Sequence, residues 1–310
     1  KVAAAGALLY ALACVGYAVA PGLGVAFAAA ALSGVGGALL WVSLRSMISE
    51  RLAADSSVFA RLTSYEETGS WIAFFAGLSL LGAVDDWRPL FLTCAVTCAV
   101  AAGILLSAPD RSAPRVAPLP GPVLRRLRPM LATVVLIMTA EAAIGLLLIL
   151  HLQRHFELEI IQIAWVFLPG AIVMGLVPQY LHRYVVRHGR SRVLAVASVL
   201  SAGFAVGLAW APNPWVIAAL WVLSAVAWAA LSPVQQAVIA EASGDRVGRG
   251  MGAYEAAVLL GGLVGALSAG ALYEASSWLV SCLVFAAVIL SGAVLVPWSV
   301  RAVGVPDRPA

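Results

Sequence analysis

The sequence predicts an all-α polytopic membrane protein in which two helical bundles repeat one unit in the same orientation. Three observations carry this expectation. Of 310 residues, 62% are hydrophobic and only 11% are charged, against roughly 45–50% and about 25% in soluble domains. Long apolar stretches recur from residue 2 to residue 299, and the chain aligns on itself at an offset of 191 residues. One anchor or a cleaved leader cannot produce such recurrence, so a soluble globular protein is excluded.

A hydrocarbon core about 30 Å thick takes about 20 helical residues per crossing. Ten segments meet that length: 2–20, 23–46, 58–83, 88–107, 129–151, 160–183, 193–211, 214–240, 248–272 and 277–299. They are apolar on every face, whereas strands of a membrane barrel are about ten residues long and alternate. Short turns such as Pro21-Gly22-Leu23-Gly24 and Pro212-Asn213-Pro214 separate some of them. The connection 108–128 is different, because it sets Pro109, Pro114, Pro118, Pro120 and Pro122 among arginines. It reads as a solvated linker that divides an N-terminal bundle (1–107) from a C-terminal bundle with a short tail (129–310).

Loop charge sets the orientation, since cytoplasmic loops are enriched in Lys and Arg. Of the 19 basic residues, all but Arg88 and Arg154 fall on one side of the predicted spans. Both termini and the linker are therefore expected in the cytoplasm. A single Lys beside 18 Arg fits a GC-rich bacterial genome, and the expected location is the bacterial cytoplasmic membrane. The net charge of +4 is accounted for by these loops, so no nucleic-acid partner is implied. Cys14, Cys94, Cys98 and Cys282 lie inside apolar runs, where they read as small hydrophobes and not as disulfides or metal ligands.

The repeat pairs Lys1–Glu50 with Arg192–Glu241 without a gap, and about a third of the pairs are identical. Ala20-Pro21 meets Ala211-Pro212, Gly16 meets Gly207, Ser33 meets Ser224, and Ile48-Ser49-Glu50 meets Ile239-Ala240-Glu241. A two-residue slip then matches Tyr65-Glu66 to Tyr254-Glu255. Two like-oriented copies are the parallel repeat of a two-bundle transporter. Because Lys1 pairs with Arg192, which already follows two spans of the second copy, the offset predicts two further helices upstream. The chain is then read as helices 3 to 12 of twelve.

Three motifs add a resemblance that spans the whole chain. Arg187-His188-Gly189-Arg190-Ser191-Arg192 is similar to the end of the loop signature of the major facilitator superfamily. Asp86-Trp87-Arg88-Pro89-Leu90-Phe91 is similar to its Gly-Trp-Arg-x-x-Phe motif, and Arg249-Gly250-Met251-Gly252 opens a span in the family's manner. The resemblance implies two six-helix bundles giving alternating access to a central site, with the span 129–151 lining it.

Charged groups inside a span cost about 2.5–3.5 kcal/mol each on insertion scales, so each calls for a partner or a function. Glu141 lies about 20 Å along its helix from Arg128. It is the leading candidate for a proton-exchanging carboxylate or a cation contact, the alternative being a structural hydrogen bond to a Ser or Thr. Glu66, Glu67 and Glu255 lie near cytoplasmic helix ends, where the helix dipole favours acids. They are gating candidates together with Arg61 and Arg249, and Arg187, Gly189 and Arg190 join them through the loop motif. Arg45 is either an anion contact or a positive-inside anchor. Trp221, Ser224, Trp228, Ser232 and Gln235 recur at helical spacing and so share a face. That face suits an amphipathic or planar substrate, although small Ser residues also mark tight helix packing. Pro169-Gly170 and Pro178 are expected bending points.

His151 and His155 lack the Glu that a zinc protease needs after its first His, and no phosphate loop or nucleophile turn occurs. No enzyme activity, metal or cofactor is expected. The function expected is secondary transport of a small organic solute by a monomer, as proton-coupled efflux. Uptake of a metabolite is the alternative, and a non-transporting sensor or assembly protein is a third reading.

Overall fold

The computed structural model describes residues 1–84, 86–108 and 121–309. Among them are ten α-helices: α1 (Val2–Val19), α2 (Leu23–Ser49), α3 (Val58–Val84), α4 (Arg88–Ser107), α5 (Val123–Arg154), α6 (Ile160–His188), α7 (Arg190–Leu208), α8 (Pro214–Ser243), α9 (Val247–Ala275) and α10 (Trp278–Val303). The all-α expectation holds, but ten separate apolar spans is not an exact count. Eight runs among the described residues are long and apolar enough to cross a membrane. Helices α8 and α9 follow each other through one 3-10 turn and form a single 62-residue run, Pro214–Ala275. Helix α3, with Arg61, Glu66 and Glu67 in its first three turns, is not among the eight.

Several boundaries have visible local causes. The Asn213 side chain accepts the Val216 amide at 3.0 Å and Pro214 opens α8, an N-cap followed by a residue whose missing N–H costs nothing there. Ser277 caps α10 through the Val280 amide, and Glu159 and Gln162 form a capping box at α6. Between α6 and α7 the chain turns at Gly189 with φ +90°, a conformation that disfavours any side chain. Helix α5 begins at Val123, upstream of the expected 129, because Pro122 sets its entry while Val123 and Leu127 are buried. Residues 109–120, with Arg111, Arg115 and most of the proline-rich connection, lie outside the described residues, as does Asp85.

The chain divides into two compact units, Lys1–Glu50 with Ile72–Val116, and Arg51–Trp71 with Ala117–Ala310. In the first, α1 packs against α2 and α4. Gly6 and Gly36 let the first pair touch backbone to backbone, since a Cβ on Gly6 would lie 2.8 Å from the Gly36 carbonyl. In the second, α7 packs against α8 and α10, the repeat-related helices. The repeat reaches single contacts: a Cβ on Gly16 would meet Ala29 at 3.1 Å, and one on Gly207 would meet Leu220, the counterpart of Ala29, at 2.6 Å.

The second unit also pairs α5 with α9 and α6 with α8. Gly261 and Gly265 of α9 lie directly on α5, where a Cβ at Gly261 would come within 2.6 Å of the Met138 Cβ. Lipid tails are as apolar as the helices, so close approach through small residues and packing is what joins them. Ile144, Leu147, Leu148, Phe204, Ile217, Cys282 and Ile289 form the core, while Leu259, Leu263, Leu267 and Val294 face outward. The start of α3 joins this unit. Thr68 packs on Gly175, and Ser56 Oγ lies 3.0 Å from His182 Nε2.

Candidate functional site

A cavity of about 410 Å³ opens inside the second unit. Helix α5 supplies Met138, Glu141 and Ile144, α6 Met174, α7 Ser201 and Phe204, and α8 Trp221, Ser224, Trp228 and Leu231. Helix α3 adds Glu67, and α9 adds Val258 and Gly262. The volume falls within the roughly 300–1,000 Å³ of small-molecule sites. Two of the described lining residues are acidic and none is basic.

Each carboxylate has a defined partner. Glu141 Oε1 accepts the Ser201 hydroxyl from α7. Glu67 Oε1 accepts the Trp228 indole N–H at 3.0 Å, a charge-assisted bond whenever Glu67 is ionised. Trp221 is fixed from three sides. Its ring centroid lies 4.8 Å from Phe167 and 5.7 Å from Phe204, both edge-on, and its indole fills the space that a side chain on Gly170 would need.

The expected α8 stripe is thus divided along its length. Trp221, Ser224 and Trp228 line the cavity, whereas Ser232 and Gln235 are buried further along the helix. Ser232 Oγ accepts the Gln236 amide at 3.1 Å, and neither polar end of Gln235 meets a hydrogen-bond partner among the described residues. Pro169 and Pro178 lie inside one continuous helix, α6.

The charged candidates lie elsewhere. Arg45 belongs to the first unit, where it is buried and its guanidinium sits 5.4 Å from the Trp41 ring centroid. Arg61 forms an ion pair with Asp55. Glu66 and Glu255 are half-buried outside the cavity lining, and Arg187 and Arg249 are exposed. Arg190 is 1% exposed and pairs with Glu241 at the end of α8. Around it the tail docks: Arg190 Nη1 donates to the Pro306 carbonyl at 3.0 Å, and the Arg190 and Ser191 amides donate to Asp307 at 2.7 and 2.8 Å. Burial alone would raise the Asp307 pKa, but hydrogen bonding from Ser191 and the charges of Arg301 and Arg190 outweigh it and hold it below its ordinary value. His151 stacks on Trp278 at 3.9 Å and on His155 at 4.7 Å, which accounts for that histidine pair by ring packing.

Sequence reasoning missed Ser201, Phe204, Met138 and Met174. Ser201 is a lone hydroxyl in an apolar run, and nothing local ties it to a glutamate 60 residues upstream. The seat that Gly170 gives Trp221 had a weak signal in the Pro169-Gly170 pair.

Solved structures share the fold that holds this cavity. The chain is similar to the structure of the human organic anion transporter MFSD10 (TETRAN), with 15% identity and a TM-score of 0.77 over 94% of this chain and 76% of that one. It is also similar to a variant of the E. coli fucose:proton symporter FucP, with 15% identity and a TM-score of 0.71 over 98% and 83%. A third similar structure is the proton:xylose symporter XylE bound to 6-bromo-6-deoxy-D-glucose, with 13% identity and a TM-score of 0.70 over 94% and 78%. No significant match is found among curated protein sequences. The sequence profile of the Major Facilitator Superfamily matches residues 1–184 and again 130–309, as a doubled unit would. With matches running along the whole chain, the protein belongs to the Major Facilitator Superfamily and is a multi-pass membrane transporter.

Proposed function

We propose that the protein exports a small organic solute across the bacterial cytoplasmic membrane in exchange for protons, with Glu141 as the proton-exchanging group. The observation that carries this reading is the place of Glu141 in the wall of a cavity of about 410 Å³, where an ionisable group meets whatever occupies the space; the Ser201 hydroxyl orients it there. A carboxyl group in an apolar medium costs less neutral than ionised, so loading and releasing a proton there is coupled to what shares the cavity. Trp221, Ser224 and Trp228 contact the solute, while Gln235 and Arg45 serve the pathway outside the cavity. Glu66, Glu67, Glu255, Arg61 and Arg249, with Arg187, Gly189 and Arg190 of the α6–α7 turn, contribute to gating. The working unit is a monomer of two bundles, 1–107 and 129–310, joined by the linker 108–128, with both termini cytoplasmic.

The test is solute-driven proton movement in proteoliposomes carrying an internal pH dye, with a panel of small organic cations, anions and neutral compounds. At least one compound should move protons with the wild-type protein, and Glu141→Gln should abolish that signal while expression and insertion stay nearly normal. Gln keeps the shape and hydrogen bonding of the neutral acid but cannot ionise. An unchanged rate and pH dependence in the variant would remove the coupling role. A second reading, proton-linked uptake, is supported by the symporters among the similar structures. It predicts the same proton movement with the solute travelling inward along with the proton.

A further inference from the structure

We propose that the cavity of the second unit binds a monovalent organic cation with an apolar, aromatic body. Glu67, besides its part in gating, contacts the solute and supplies the countercharge, and Trp228, Trp221 and Phe204 form the ring wall. The inference rests on the reading of this cavity as the substrate site and adds the class of substrate.

The charge of the lining comes first. Glu67 and Glu141 are its ionisable groups, and no Lys, Arg or His lines it among the described residues. An organic anion would have to enter a low-dielectric space beside two carboxylates with no positive partner, whereas a cation finds its partner in place.

Hydrogen-bonding capacity comes second. A sugar needs several donors and acceptors around its hydroxyls, and its affinity collapses when they are left unpaired. Here the Ser201 hydroxyl is taken by Glu141 and the Trp228 indole N–H by Glu67. What remains is chiefly Ser224 and the Trp221 indole beside Met138, Met174, Ile144, Phe204 and Leu231. Such a wall suits rings and methylenes. Fucose, xylose and organic anions, named for the similar structures, do not suit this lining.

The third observation is geometric. The Trp228 indole donates to Glu67 at 3.0 Å, so the acid and the ring sit side by side at the cavity wall. A cation placed against them meets a carboxylate and an aromatic face together, and the donated N–H enriches that face in electron density. Cation–π attraction is strongest for Trp and for desolvated cations. Trp221, held edge-on by Phe167 and Phe204, gives a second ring that is already ordered.

The experiment compares two probes of nearly the same shape and opposite charge, tetraphenylphosphonium and tetraphenylborate. Binding to the whole chain in phosphatidylcholine nanodiscs is measured by equilibrium dialysis, with protein-free nanodiscs subtracted. Saturable binding of the phosphonium, with borate retention equal to that of empty nanodiscs, is the expected result. Glu67→Gln should weaken phosphonium binding at least about tenfold, the scale for losing one desolvated charge contact, and Glu67→Asp should recover part of it. Borate binding as tight as phosphonium binding overturns the proposal, and so does unchanged phosphonium affinity in Glu67→Gln. If that variant does not fold, the two-probe comparison on the unaltered protein still decides. Equilibrium binding needs no transport, so the parent reading fails separately. Phosphonium binding without proton movement leaves the cation site standing and removes proton coupling. Proton movement driven only by neutral or anionic solutes keeps the coupling and removes the cation class.

Discussion

Arg190 Nη1 and Nη2 each donate to a different oxygen of Glu241, at 2.7 and 2.5 Å. The arginine side chain is 2% exposed and the glutamate 31%, which makes the pair asymmetric. Removing the acid strands a buried cation, at a cost of about 3–5 kcal/mol. Replacing the arginine with an apolar side chain of similar length leaves a carboxylate that water can reach. Thermal unfolding in detergent should therefore rank wild type above Arg190→Met, and Arg190→Met above Glu241→Ala. The opposite order of the two variants would mean that the pair is not the source of the stability.

Docking of the tail on the α6–α7 turn should depend on pH through Asp307. Its pKa lies below the ordinary 3.8 in the docked state, so the docked form binds fewer protons. The stabilisation is complete above the ordinary value and is lost as the pH falls through the lower, docked one. The protection of the Ser191 amide against hydrogen exchange, taken relative to its intrinsic rate at each pH, should hold at neutral and mildly acidic pH and be lost only in strong acid. Asp307→Asn should speed that exchange at neutral pH.

The α5–α9 seam predicts a steric penalty. A Cβ at Gly261 would fall 2.6 Å from the Met138 Cβ and 2.8 Å from the Val135 carbonyl, both on α5. Gly261→Val should cost about 1–3 kcal/mol by overpacking, read as a fall in melting temperature. Gly262→Val on the same helix has open space around its Cβ position and should cost less.

Gly170→Ala should act on the cavity without touching either carboxylate. The added methyl overlaps the Trp221 indole, which must move toward the cavity or lose its contacts with Phe167 and Phe204. Solute affinity should change severalfold while the Glu141-dependent proton step persists. If affinity is unchanged in binding and in flux, Trp221 does not touch the solute.

Long-range architecture was legible because bilayer thickness sets helix length, and a duplicated unit leaves matching turns such as Ala20-Pro21 and Ala211-Pro212. Glu141 stood out as well, marked by the length of apolar chain between it and Arg128, and it lines the cavity. Facing was not legible. Glu66 and Glu67 are adjacent and both half-buried, yet only Glu67 lines the cavity, because one residue turns the helix by about 100°. The α8 stripe has one period, but whether a position meets open space or protein depends on what α3, α5 and α7 place opposite. Trp228 therefore lines the cavity while Gln235 is enclosed. Arg190 looked like a member of a basic loop until the fold put Glu241 and the tail around it.

The bond between Trp228 and Glu67 also makes the cavity spectroscopically addressable. An indole proton shared with a carboxylate resonates far downfield of one in an apolar setting, so among ten tryptophans the Trp228 side-chain amine should stand apart in a nitrogen–proton correlation spectrum. Any guest that draws Glu67 away, and any proton that neutralises it, then reports itself at a single resolved peak, without a label on the guest and without a membrane gradient.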